Sequence, residues 1–397
     1  MRRSIEMSGM EKIFKDILCR GYEIPIINKN PLPEYAMKEL DYGMIIGTAV
    51  TEKGRRFICW VGGGDNPKAF FVLAYSDDNG KSYKEPCLVI DPHTPDLPCD
   101  RSTIVGNLWI DPLKRLWLFF NESLGHFDGR CSNWAIRCDD PDAQNLKWSE
   151  PEYIWYGMTL NKPTILSSGE WMLPVSLWSR DKIGPDPELK KFYHELDDKR
   201  GANVFVSGDQ GKTWKFRGGL TFPEPMFDEH MIVELKDGRL WMLARTAWQL
   251  METFSADQGK TWSRPVIARA QSVSSRFFLR RLISGRILLI KHGTEAGKAP
   301  PDHSRSMLTA FLSEDEGETW IGGLLLDERN YISYPDGDQT SDGVIHIVYD
   351  HCRDELGEIL SADIREEDII SKRIVTPGAY LKRLVLRPGK QKKLPTV

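Results

Sequence analysis

Short apolar runs punctuated by tight polar turns recur along the whole chain. "EKGRRFICW" (52–60), "PLKRLWLFF" (112–120), "SSGEWMLPV" (167–175), "KDGRLWMLA" (236–244), "ISGRILLIK" (283–291) and "SDGVIHIVY" (341–349) each set a turn ahead of an apolar strand. Their anchor positions are Gly54, Lys114, Gly169, Gly238, Gly285 and Gly343. A second apolar run, such as "HMIVEL" or "FFLRRL", precedes each anchor. Every unit therefore begins as a hairpin, because two strand-length apolar runs flank a turn of a few residues.

Another series keeps step with the first. "SGDQGKTW" (207–214) and "SADQGKTW" (255–262) are near-identical, "SEDEGETW" (313–320) and "SDDNGKSY" (76–83) vary them, and "CDDPDAQNLKW" (138–148) and "SADIREED" (361–368) stand where decayed copies belong. Each unit then reads strand, turn, strand, loop, strand, Ser-x-Asp turn, strand. Within the motif, Asp257 is suited to accept backbone N–H groups across its turn, Gly259 to take positive φ, and Trp262 to plug the gap between units. Six such units without helix-length periodic segments predict an all-β chain, a six-bladed β-propeller, in which radial closure hides the sheet edges. Blades are expected to start near residues 43, 103, 161, 229, 276 and 334 of a single domain spanning 41–385. Residues 1–40 form an extension packing on it, with "MEKIFKDIL" a short helix, and 386–397 a polar tail.

Composition narrows the partners. Thirteen Trp, 33 Gly and 24 Pro suit short strands and tight loops, and a net charge of −4 without a long block of one sign speaks against nucleic acid. No run of 18 apolar residues occurs, so no membrane partner is expected, and the start lacks the apolar stretch of a secretory signal. The expectation is a cytoplasmic protein as the sequence stands, periplasmic or secreted if its start has been trimmed. The seven scattered cysteines lack metal-ligand spacing and read as reduced thiols; the histidines lack it too, and neither a metal nor a cofactor is expected.

The candidate chemistry follows from blade geometry. Loops that lead into each innermost strand and loops that leave each second strand open on the same end of a propeller's channel. Nine residues before the anchor glycines stand Glu229, Arg276 and Tyr334, an acid, a base and a phenol at one register. Asp228, His230, Asp336, Asn161, Lys162, Asp100 and Arg101 lie nearby, and the second-strand exits add Asp65, Asn121, Arg245, His292, Asp350 and His351. A charged, aromatic rim of mixed sign suits a polar, anionic sugar.

Over residues 43–370 the chain resembles the sialidase (neuraminidase) superfamily, especially its bacterial BNR-repeat branch, whose marker is the Ser-x-Asp-x-Gly-x-Thr-Trp motif, the Asp box. In that family a Glu-activated Tyr attacks the anomeric carbon, an Asp is the acid/base, and three Arg hold the substrate carboxylate. The resemblance implies that Glu229 and Arg245 in "DEHMIVELKDGRLWMLART", Arg305 in "RSMLTAFLS" and Tyr334 in "SYPDG" take these places. Two positions depart from it. Met44 stands where the first-blade Arg belongs, and Phe70 where the Asp belongs, leaving Asp65 or Asp100 as the acid.

The expected function is an exo-acting glycoside hydrolase of sialidase type, releasing a terminal acidic or deoxy sugar from a glycan, with sialic acid the default. Tyr334 is its nucleophile, Glu229 its base, and Arg245, Arg305 and Arg276 the anion clamp. Asn161, Lys162, His230 and Asp336 complete the substrate-binding set. Two alternatives remain: a lyase acting on uronic-acid glycans, with Arg neutralising the carboxylate and Tyr334 or His230 removing the proton, and a non-catalytic carbohydrate-binding propeller.

Overall fold

The anchor turns close identically in the computed structural model, which describes residues 23–93, 100–184 and 189–390. The N–H of each anchor residue donates to the carbonyl three positions back, from Gly54 to Thr51 (3.0 Å), Lys114 to Asp111 (2.8 Å), Gly169 to Leu166 (2.8 Å), Gly238 to Leu235 (2.9 Å), Gly285 to Leu282 (2.9 Å) and Gly343 to Thr340 (2.9 Å). All six take positive φ, including Lys114 at 67°, the one anchor without a glycine.

These turns open six antiparallel sheets, each made of consecutive strands. The first blade comprises Met44–Val50, Arg56–Gly62, Phe70–Ser76 and Leu88–Ile90. The second runs through Gly106–Ile110, Leu116–Leu124, Ser132–Cys138 and Glu152–Trp155, with the short strand Arg101–Ser102 paired to the end of its second strand. Thr164–Ile165, Trp171–Leu177, Gly201–Ser207 and Lys215–Leu220 form the third, and Met231–Glu234, Leu240–Arg245, Leu250–Ser255 and Val266–Ile267 the fourth. The fifth is Phe278–Arg281, Ile287–His292, Leu308–Ser313 and Ile321–Asp327; the sixth is Ile332–Gln339, Ile345–His351, Glu358–Ile364 and Tyr380–Leu386. The second strands are buried throughout, whereas outermost strands such as Glu152–Trp155 and Val266–Ile267 are half-buried or exposed. The core thus lies between blades, as radial packing requires.

The four readable Asp boxes share one network. In the fourth blade Ser255 Oγ accepts the Gly259 N–H (2.8 Å) and donates to Asp257 Oδ1 (2.8 Å), while Asp257 accepts the Thr261 N–H (2.9 Å) and hydroxyl (2.6 Å). The copies at Ser76, Ser207 and Ser313 repeat it, with Ser82 replacing Thr in the first. Donors crowding the carboxylate push Asp257 and Asp209 down to about 2. The boxes of the third, fourth and fifth blades lean on the preceding blade. A Cβ on Gly211 would lie 2.7 Å from the Trp117 ring, and one on Gly317 would lie 2.7 Å from Trp241. The decayed copies lack the network: the 138–148 loop is held by Arg55 through the Pro141 and Ala143 carbonyls, and the sixth blade continues into a short helix, Glu366–Ser371.

Side chains close the ring between the sixth and first blades. Backbone N–H groups of Ile45, Thr48 and Val50 donate to Asp350, Asp336 and Asp338 (3.3, 2.9 and 2.9 Å). At the Asp-box end, Arg56 forks onto Asp363 (Nη1–Oδ1 3.0 Å, Nη2–Oδ2 2.7 Å), which also binds His346 Nδ1 (2.7 Å). Before the propeller, Asn28 pairs with Val89 of the first blade's outer strand. The helix expected over "MEKIFKDIL" lies outside the described residues, as do Cys19, Cys99 and most of the expected tail. Cys59, Cys87, Cys131, Cys138 and Cys352 are free thiols.

Candidate functional site

A β-bulge turns Tyr334 out of its strand. Pro335 has no N–H to give the ladder, so pairing with the second strand breaks between Ser333 and Asp336, and Tyr334 takes φ 54°. Opposite it the chain enters the fourth blade through three consecutive left-handed residues, Phe227, Asp228 and Glu229 (φ 61°, 54° and 46°). This strained turn is pinned on both sides. The Arg245 N–H donates to Asp228 O (2.8 Å), and Asn161 Nδ2 donates to the Glu229 and His230 carbonyls (both 3.0 Å). Left-handed non-glycine residues cost free energy and persist where their surroundings hold them.

Tyr334 and Glu229 share a cavity of about 150 Å³ with Asp65, His126 and Met44, walled by Trp178, Phe227, Ile104, Val105 and Leu160. Arg245 Nη1 reaches both Glu229 oxygens, at 3.1 and 3.0 Å. Burial works against the Arg245 charge, but Glu229 and Tyr334 hold the guanidinium above its ordinary value. Burial and the Glu229 carboxylate raise the Tyr334 phenol, against the pull of Arg245 and Arg353, so it keeps its proton at neutral pH. The neighbouring Asp228 carboxyl has no partner on Oδ1, and burial with the Glu229 charge pushes it up to about 7.

Arg353 is the residue that sequence reasoning missed. It leaves the second strand of the sixth blade, two residues past His351, and its guanidinium carbon lies 4.5 Å from the Tyr334 ring centre. Nη1 lies 2.6 Å from Met44 Sδ and 3.7 Å from Asp65, and Nε lies 3.6 Å from Asp350. An arginine from the last blade thus fills the space beside Met44. Burial opposes its charge, yet Asp350, Tyr334, Tyr42 and Asp65 hold it well above the ordinary value. Its signal lay in the same second-strand exit that nominates Asp350 and His351, read two residues further. Arg305 completes the cluster: it donates to Ser274 O (3.1 Å), while burial and the Arg245 and Arg353 charges lower it against Tyr334 and Glu229.

Of the two acids nominated for proton transfer, Asp65 lies in the cavity. Its carboxylate meets His126 Nε2 at 3.3 Å, and His126 and Arg353 outweigh the effect of burial to hold it below its ordinary value. Asp100 is exposed and does not line the cavity.

The remaining nominees form a buried axle instead of a rim. Arg276, 2% exposed, donates to Asn161 Oδ1 (3.0 Å), Ile46 O (2.8 Å) and Asp336 Oδ1 (3.2 Å). Lys162 Nζ donates to Asp336 Oδ2 (2.6 Å), Thr48 O (2.6 Å), Leu108 O (2.7 Å) and Asn107 Oδ1 (3.1 Å). His230 Nε2 is paired with Asn203 O (2.8 Å), and burial lowers the ring to about 4. Arg276, Asn161, Lys162, His230 and Asp336, expected from the sequence to bind substrate, are buried here, and their hydrogen bonds run to other blades. Among the described residues no group of three or more His, Cys, Asp or Glu could hold a metal ion, and no helix is long and apolar enough to cross a membrane.

Solved structures share this architecture. A Hadza microbial sialidase, Hz136, aligns with a TM-score of 0.58 at 17% identity over 78% of this chain and 63% of its own. A leech intramolecular trans-sialidase, complexed with 2,7-anhydro-Neu5Ac, gives 0.59 at 14% identity over 81% and 66%. The Trypanosoma rangeli sialidase in complex with sialic acid gives 0.55 at 15% identity over 80% and 53%. The chain spans between about half and two-thirds of their lengths, and at these identities the likeness establishes the fold alone. No curated protein matches the chain. A family profile described as a BNR repeat-like domain matches residues 54–347, most of the propeller. The chain belongs to the BNR repeat-like family, and its six blades form a sialidase-like propeller.

Proposed function

We propose that the protein is an exo-acting glycoside hydrolase that removes a terminal acidic sugar from a glycan. The observation that carries this reading is the meeting, in one cavity, of Tyr334, Glu229 and Asp65 beside the arginines Arg245, Arg305 and Arg353. Arg245 on Glu229, Arg353 over the Tyr334 ring and Arg305 near both supply guanidinium forks for a carboxylate, a task a lysine does less well. A phenol that keeps its proton becomes a nucleophile when a neighbouring carboxylate takes that proton, and Glu229 is placed for it.

In the first step Tyr334 Oη bonds to the anomeric carbon as its proton passes to Glu229, and Asp65 in its acid form protonates the departing glycosidic oxygen. Water then attacks the glycosyl–tyrosine bond, giving its proton to Asp65, and Glu229 returns the phenolic proton. Asp65 is ionised in the free protein, held so by His126 and Arg353. A substrate anion drawing on the Arg353 charge loosens that hold and lets Asp65 take up the proton it must donate.

The test is sugar release from oligosaccharides capped by sialic or uronic acids. Tyr334→Phe and Glu229→Gln are each expected to lower kcat by at least about a thousandfold, the scale on which loss of a catalytic group is felt. Full activity in Tyr334→Phe would remove the nucleophile assignment. An unsaturated, ultraviolet-absorbing product in place of a reducing sugar would move the protein to the lyases.

A further inference from the structure

A second cavity, of about 460 Å³, lies between the fifth and sixth blades. Arg305, Ser333 and Arg353 belong to its wall, and Arg353 also lies against Tyr334 and Asp65 of the first cavity. Its volume lies in the range of ligand pockets and leaves room for a further sugar ring.

Tyr331 stands over this cavity, 73% exposed, and its backbone is left-handed (φ 61°). Strain at an exposed aromatic has no packing to offset it. The strain is also shared: Met307 and Cys352, on the neighbouring segments, are left-handed as well (φ 53° and 46°). Hydrogen bonds clamp the segments together, Ile332 N–H to Arg305 O and Cys352 N–H to Tyr331 O, both 3.0 Å. A rigidly presented aromatic face beside hydroxyl and amide groups (Ser304, Asn330) is the surface a sugar ring stacks on. Farther from Tyr334 the charge reverses. Asp354 and Glu355 line the cavity, are exposed, and have no ion-pair partner among the described residues.

We propose that this cavity is a subsite for the sugar that follows the terminal acid, that Tyr331 is its stacking platform, and that Asp354 and Glu355 exclude a second acidic residue. The substrate class is then a neutral glycan chain capped by one acidic sugar, and runs of consecutive acids are rejected by like-charge repulsion. The proposal rests on reading the first cavity as the seat of a terminal acidic sugar.

Binding tests it independently of turnover, in a Tyr334→Phe background. The probes are two matched sets: N-acetylneuraminic acid, 3′-sialyllactose and an α2,8-linked sialic acid oligomer; and glucuronic acid, a glucuronic-acid-capped xylo-oligosaccharide and an oligoglucuronan. Within the set that binds, the capped neutral chain is expected to bind at least about tenfold more tightly than either the free acid or the run of acids. Tyr331→Ala removes the chain's advantage and leaves free-acid affinity unchanged. The double variant Asp354→Asn/Glu355→Gln admits the run of acids, with about a tenfold gain. Equal effects of Tyr331→Ala on free acid and chain, runs of acids bound as well as capped chains, or no binding of any probe overturn the proposal. Should the capped chain bind as expected while the Tyr334 protein releases no sugar, the subsite stands and hydrolysis falls.

Discussion

Asp65 and His126 set the acid–base balance of the site. His126, with Arg353 and Arg305, keeps Asp65 below its ordinary value against the effect of burial, and it reaches Asp65 from a neighbouring blade. In the proposed hydrolysis Asp65 must carry a proton to assist the leaving group, so kcat/KM, which reports the free protein, is expected to fall as pH rises through the Asp65 value. Removing His126 removes a preference for the ionised form and raises that value. His126→Ala is therefore expected to move the alkaline limb of kcat/KM to higher pH, and Arg353→Lys, which keeps the charge, to move it less. A pH profile superimposable on that of the unaltered protein would exclude Asp65 as the acid. At this scale, Tyr334, Glu229, Arg245 and Arg305 were legible, because turn glycines and Asp boxes give each a fixed register. Arg353 was not, because it makes good an absence in another blade, and a register says where a strand ends but not which distant gap its next loop will fill.

Hairpins and Asp boxes form the frame that the residues hang on. The box works through its own turn and through contact with the preceding blade, so its parts differ in what they bear. The glycine bears most. Gly211 is left-handed (φ 85°), and any Cβ there meets Trp117. Gly211→Ala is expected to destabilise the protein by about 1–3 kcal/mol, combining backbone strain with overpacking. Thermal melting checks this, and kcat should be unchanged at temperatures where the variant is folded, since the box lies at the far end of the propeller from Tyr334. A melting temperature equal to that of the unaltered protein would mean that the blades shift to absorb the methyl group. These elements were the most legible part of the chain: both strand-and-turn series report local conformation, and Lys114 shows that the turn tolerates losing its glycine even in a unit whose Asp box has decayed.

At the scale of the whole molecule, long-range polar pairing decides how the ring holds. Arg276, Lys162, Asn161 and Asp336 look from the sequence like a charged rim, yet hydrogen bonds among them join the third, fifth and sixth blades along the axis. Their register placed them near the channel. Whether a side chain there points to solvent or to its counterpart across the axis depends on contacts between residues 60 to 174 positions apart, which no local pattern encodes. The seam between the sixth and first blades depends on the same kind of pairing, and Arg56–Asp363 is its buried fork. Asp363→Ala leaves Arg56 and His346 without their acceptor and is expected to cost about 3–5 kcal/mol, as for other buried pairs that lose one partner. Chemical denaturation measures it. A loss below about 1 kcal/mol would show the seam to be carried by the aspartates that meet the first blade's backbone.

Each blade is built from consecutive strands, and among the described residues no strand is lent across the seam. Residues 389 and 390 hydrogen-bond to Met37 and Leu40, so the first and last blades meet close to where the propeller begins and ends. A ring built this way has no privileged first blade. A circular permutant restarted between the third and fourth blades, with the two ends of the propeller linked, should reach the same fold. Its seam would become an ordinary covalent junction, and the new opening would fall where core packing, rather than aspartates and a fork, must keep two blades together.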